Sequence, residues 1–148
     1  MKKIFLLATA FVFTMCAVAQ QSPDSVIKIT SELHDFGKIK QGVPVDYSFE
    51  IKNISDKPVV VESSTASCGC TTPEKITEPI MPGSSAKLKV QYNAAAVAPF
   101  NKTITIKLAG IEQPKIVQIA GEVLTVEAYE TYVKEKGKTK DSKGTKNN

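Results

Sequence analysis

The residues of this chain with distinctive chemistry are concentrated in one tripeptide, Cys68-Gly69-Cys70, because the only other cysteine, Cys16, lies in an apolar leader. Two thiols separated by one residue suit three kinds of chemistry. In an oxidising compartment they can join, since the glycine between them allows the tight backbone that brings their Cα atoms into bonding range. That bond would enclose a single residue, and loop-closure entropy grows with the length enclosed, so it would shape its loop rather than staple the fold. As a readily reduced bond the pair could instead carry redox equivalents, although the helix start that favours a thiolate in C-x-x-C oxidoreductases is missing. As two soft thiolates it could hold Cu(I) or Zn(II), with His34, the sole histidine, or Met81 as a third ligand. A lone C-x-C is a weak metal pattern, and His34 in front of Asp35-Phe36-Gly37 reads first as a capping or edge residue. The sequence alone leaves these readings open, and no resident metal or other cofactor is expected.

Other chemistry is thin. Ser63-Ser64-Thr65 and Ser84-Ser85 are hydroxyl clusters of the loop type, without a histidine and acid at triad spacing. Glu74 and Glu78 flank a proline-containing loop, but a glycosidase pair needs a cleft that a small β-domain rarely offers. No catalytic residue is assigned, and the chain is expected not to be an enzyme.

The ends bound the compartment. Met1-Lys2-Lys3, an apolar run from Ile4 to Met15 and Cys16-Ala17-Val18-Ala19 form the pattern of a secretory signal over residues 1–19, with cleavage expected after Ala19. The run is shorter than the roughly 20 residues of a membrane-spanning helix, and no later segment approaches it, so the mature chain should have no transmembrane segment. Cys16 offers the alternative of lipid attachment, which bulky Met15 just before it disfavours. The expected location is therefore periplasmic or secreted. The formal charge of +4 is carried by the ends: residues 20–132 hold 11 lysines against 13 carboxylates, a balance of −2, and the chain has no arginine. Nucleic acid is excluded as a partner on that balance. The lysine-rich residues 133–148 contain almost nothing apolar to bury and read as a disordered tail.

The elements that must position the cysteines read as strands. Val45 to Lys52 alternates apolar and polar residues without a fault, and Lys87 to Tyr92 and Thr103 to Leu108 do the same. Val26 to Thr30, Pro58 to Glu62 and Lys115 to Val123 are β-branched runs. Turn residues separate them at Gln41-Gly42, Asn53 to Asp56, Pro82-Gly83 and Gly110 to Pro114. The alanine-rich stretch from Asn93 could form one helical turn before Pro99 stops it. The pattern predicts an all-β, antiparallel Ig-like sandwich of about seven strands over residues 24–126, its core built on Tyr47, Phe49, Ile51, Leu88, Val90, Ile104 and Ile106.

With strands and turns placed, a family pattern is visible across roughly residues 30 to 124. It comprises His34-Asp35-Phe36-Gly37, Phe49-Glu50-Ile51-Lys52-Asn53, Ser67-Cys68-Gly69-Cys70-Thr71, Met81-Pro82-Gly83 and Ala120-Gly121-Glu122. This resembles the exported bacterial Ig-like domains of unknown function, the fifteen-seventy-three family, and is similar in turn to MSP-like and ASH-type sandwich domains. The resemblance implies fold and export, and brings no catalytic residues with it. The leading expectation is an exported binding or scaffolding module for another envelope protein or polymer, working through sheet edges or end loops. The rival is a small thiol protein that handles redox equivalents or a soft metal through Cys68 and Cys70.

Overall fold

The computed structural model describes residues 21–141; the expected leader with Cys16 and the last part of the expected tail, 142–148, lie outside the described residues. In chain order the elements are β1 (Ile27–Ile29), β2 (Leu33–Lys40), β3 (Val45–Asn53), β4 (Val61–Ala66), β5 (Thr71–Pro73), β6 (Ser85–Tyr92), β7 (Pro99–Leu108), β8 (Lys115–Leu124) and α1 (Val126–Asp141). The strands form two four-stranded sheets, ordered β1-β3-β6-β5 and β2-β8-β7-β4. Their inner faces meet in one core, which makes the chain an Ig-like β-sandwich.

The strict alternation of β3 and β6 does what a period of two requires. Their antiparallel register sets Tyr47 opposite Val90 and Phe49 opposite Leu88, so apolar partners stack on the core while Glu50 and Lys87 meet in water. Phe49, Ile51, Leu88 and Val90 face Ile104, Ile106, Val117 and Ile119 of the other sheet, each no more than 1% exposed. Tyr47, expected in the core, is half-buried and packs against its margin.

Where the architecture departs from the expected strands, the cause is local. In β2 the alternation is broken at Gly37, which has a positive φ of 65° and sits in a bulge between Asp35 and Lys38. That strand pairs with β8 in parallel, the one parallel pair in the described sheets. The hydroxyl-rich Ser63-Ser64-Thr65 is strand rather than loop, because its neighbour β7 supplies the buried partners Ile104 and Ile106. Ahead of it, Val59 makes only an isolated bridge to Ile80. The alanine-rich stretch forms no helical turn; Ala94 adopts a φ of 51° and its carbonyl accepts from Gly42 N at 2.9 Å.

Helix α1 was not foreseen because its apolar positions, Val126, Tyr129, Tyr132 and Val133, end after two turns, and it extends through part of the segment read as a disordered tail. Thr125 caps it, its Oγ1 accepting from Ala128 N at 3.3 Å, and Glu127 lies in the first turn where the helix dipole favours an anion. Its docking to the sandwich is slight: Glu130 pairs with Lys40 at 3.5 Å, and the Lys38 ammonium lies 5.2 Å from the Tyr132 ring centre. Among the described residues no helix is long and apolar enough to cross a membrane.

At one end of the sandwich a fully buried polar residue closes the turn after β3. The Asn53 amide donates to the carbonyls of Lys57 and Ile80, both at 2.7 Å, and its oxygen accepts from Ser55 N and Oγ at 2.9 and 2.8 Å. Every polar atom of that side chain is therefore satisfied, as burial demands.

Candidate functional site

The Cys68 loop joins β4 in one sheet to β5 in the other, at the end of the sandwich away from Asn53. Cys68 and Cys70 form a disulfide with their Cα atoms 5.3 Å apart. The loop is held by backbone bonds that do not involve sulfur. Ser67 N donates to Thr103 O at 2.9 Å, Thr71 N to Cys68 O at 3.3 Å and Asn93 N to Cys70 O at 3.1 Å. Both cysteines are half-buried, but only Cys70 packs against the core. Cys68 Sγ lies 3.7 Å from the hydroxyl of the buried Thr71.

The other candidate ligands are elsewhere. His34 points inward from edge strand β2 and stacks on Tyr47 with ring centres 3.6 Å apart, while Phe36 meets it edge-on at 4.6 Å. Burial among these rings pulls the His34 pKa below its ordinary value, and the Asp35 carboxylate partly opposes the shift. Strands β8 and β7 stand between β2 and β4, so at about 4.8 Å per strand His34 lies on the order of 14 Å from Cys68. Met81 is 55% exposed beside Ile80, which bridges Val59 at the opposite end of β4. Among the described residues no group of three or more His, Cys, Asp or Glu side chains is placed to hold a metal ion.

The hydroxyl and carboxylate clusters do not converge on a nucleophile. Ser64 Oγ donates to the Glu74 carbonyl at 3.1 Å, and the Glu74 side chain pairs with Lys89 at 3.6 Å. At the start of β8 the Lys115 ammonium is buried and bonded to the carboxylates of Asp24 and Glu32. Desolvation alone would lower its pKa, but the two carboxylates outweigh it and leave the lysine above its ordinary value. This triad ties the chain entry to β8.

Each sheet edge is blunted. β1 and β5 are three residues long. On β2 the Leu33 carbonyl accepts from Ser31 Oγ at 2.6 Å, Asp35 Oδ1 takes the Gly37 N–H at 2.8 Å, and Lys38 and Lys40 face α1. Alongside β4 the chain returns from Glu74 to Ile80, touching Ser64 in the strand and Val59 ahead of it and leaving a groove of about 450 Å³ between Val61–Thr65 and Lys75–Thr77. Bulges, edge lysines and covering segments are the means by which sheets avoid pairing with another chain. A partner strand added to an edge would meet short strands at β1 and β5, the bulge and α1 at β2, and the returning chain beside β4.

The outward faces of the two sheets are unlike. On the first, Lys28, Lys52, Glu50, Lys87, Lys89 and Asp46 project between their buried neighbours. On the second, the positions that alternate with the core are Thr65 and Ser67 on β4, Thr103 and Thr105 on β7, Ile116 and Gln118 on β8, and Leu33 on β2. Their cross-strand register makes them one contiguous area. Charges border it: Lys107 with Glu62 at one end, and Asp35, exposed on β2 opposite Ala120, then Lys38 with Glu122 toward the other. Ile116 and Leu33 stand 47% and 51% exposed within it. The sequence hides this area because its members come from four strands, and only the register joins them.

Comparison with known proteins agrees with this architecture. A family model described as a protein of unknown function, DUF1573, matches residues 27–123. Among solved structures, a protein of unknown function from Porphyromonas gingivalis W83 is similar at 19% identity and a TM-score of 0.57, over 66% of this chain and 46% of that one. This chain thus spans about half the length of that relative. The ASH/PapD-like domain 7 of human CEP192 is similar at 11% identity and a TM-score of 0.60, over 78% of this chain and 96% of the domain. The secreted serine protease VesC from Vibrio cholerae is similar at 10% identity and a TM-score of 0.54, over 67% of this chain and 23% of the protease. At such identities the likeness is one of fold. No curated protein matches the sequence.

Proposed function

The chain belongs to the DUF1573 family, and from that premise we propose that it is an exported, non-enzymatic binding module of the bacterial envelope, docking a partner protein on the outer face of the β2-β8-β7-β4 sheet. The observation that carries this reading is the charge asymmetry of the two faces. Interface centres are depleted in charge, because each ion removed from water must be compensated, whereas hydroxyls, amides and aliphatics are desolvated at lower cost. The patch built from Thr65, Ser67, Thr103, Thr105, Ile116 and Gln118 has that composition, with Asp35 and the ion pairs around its margin. An uncharged patch with two projecting aliphatics suits a protein partner that presents an uncharged surface in turn.

Export is supported by the leader pattern at 1–19. The non-enzymatic reading is supported by family membership and by the sandwich architecture shared with the ASH/PapD-like domain. The test replaces Thr105 or Ile116, at the centre of the face, by lysine and compares retention of envelope proteins with that by Glu50→Lys on the opposite face. The central substitutions should abolish retention of one discrete partner that Glu50→Lys still holds. Equal retention by all three variants would remove the face from consideration.

A further inference from the structure

We infer that the Cys68–Cys70 disulfide is a thiol–disulfide exchange site for a peptide or protein dithiol, with Cys68 as the exchanging sulfur and Cys70 as the resolving one. The inference stands independently of the binding face.

The two sulfurs are not equivalent. Cys70 packs against the core, so an incoming thiolate reaches Cys68 more readily. Thr71, itself 4% exposed, holds its hydroxyl 3.7 Å from Cys68 Sγ and can donate to a thiolate there. A hydroxyl donor at that sulfur favours its thiolate, which is the species that attacks and the better leaving group.

The fold also permits the bond to open. It encloses one residue, and the backbone bonds that hold the loop do not pass through sulfur. The reduced pair thus stays in place to close again.

The exchange balances as follows. A partner thiolate attacks Cys68 Sγ, the Cys68–Cys70 bond breaks, and its electron pair leaves on Cys70 Sγ, which takes a proton. The partner's second thiolate then attacks the partner sulfur of the mixed disulfide and expels Cys68 as a thiolate. The partner dithiol loses two electrons and two protons and becomes a disulfide, and Cys68 and Cys70 become thiols.

The test uses the full chain with Cys16→Ser. A synthetic peptide dithiol should reduce the wild-type pair while circular dichroism stays that of the folded protein. With glutathione disulfide as probe, Cys70→Ser, which leaves Cys68 free, should form the mixed disulfide at least tenfold faster than Cys68→Ser at neutral pH. Thr71→Val in the Cys70→Ser background should slow it several-fold, and slow it less at high pH, where the thiolate forms unaided. A pair that resists the peptide dithiol while folded, or single variants that react at equal rates, would overturn the assignment.

Discussion

Gly121→Ala is a demanding test of how the second sheet is packed. Gly121 lies opposite Phe100 in the β7–β8 ladder, on the inward side of β8. A Cβ there would stand 2.8 Å from the Gly37 carbonyl oxygen and 2.8 and 2.9 Å from Cζ and Cε1 of Phe100. Carbon–carbon contacts are normally about 3.5–4.0 Å, so something must move. The Gly37 carbonyl belongs to the β2 bulge, and shifting it disturbs the pairing with β8. The Phe100 ring, 7% exposed, stacks on Tyr92 with centres 4.0 Å apart, and turning it aside displaces a second buried ring. Overpacking of this kind costs about 1–3 kcal/mol, offset by about 0.4–1 kcal/mol from the reduced freedom of the unfolded chain. The net expectation is a loss of about 1–2 kcal/mol, read in urea as a lower midpoint at unchanged m-value. Phe100→Leu removes part of the clash, so the double variant should be more stable than additivity predicts by about 1 kcal/mol. A Gly121→Ala variant with the wild-type midpoint, or strict additivity with Phe100→Leu, would refute the packing argument.

Other expectations concern charge and the disulfide. His34 has a lowered pKa in the folded state, so the unfolded chain binds its proton first as pH falls. Its contribution is complete above the ordinary value of 6.5 and is lost on acidification below it; His34→Phe, which keeps a ring on Tyr47, should flatten that part of the urea-midpoint profile. Lys115 has a raised pKa, so its contribution holds up to the ordinary lysine value of 10.5 and is lost as pH rises beyond it. Lys115→Met should lower stability at neutral pH by about 1–2 kcal/mol, and should lose less than the wild type does above that pH. The cost is moderate because the Asp24 and Glu32 side chains are 64% and 56% exposed and can return to water. Replacing Cys68 and Cys70 together by serine should cost no more than about 1.5 kcal/mol, less than Ile104→Ala in the core at about 2–5 kcal/mol; matched urea titrations give the comparison.

What the sequence made legible was governed by period and by turn chemistry. The strands with clean alternation, Val45 to Lys52, Lys87 to Tyr92 and Thr103 to Leu108, were readable because each buries one face against an apolar partner. Strand β2 was not, because its Gly37 bulge flips the alternation and its partner β8 is far away in sequence. Strand β4 was obscured because Ser63 and Thr65 face water, and serine-rich runs resemble loops until β7 is placed beside them. Helix α1 has an apolar stripe of only two turns to detect and depends on Thr125, propensity and a few contacts to β2. The cysteine pair was visible at once, but its inequivalence was not. That depends on Thr71 and on the core packing of Cys70. The uncharged face was hidden for the related reason that cross-strand register is not written in any one segment.

The central claim, that a protein partner docks on the β2-β8-β7-β4 face, is tested most directly by site-specific photo-crosslinking in the native envelope. A photoreactive residue placed at Thr105 should give one discrete crosslinked partner, and the same probe at Glu50 on the opposite face should give none. Crosslinks of equal yield from both positions, or from Glu50 alone, would contradict the account.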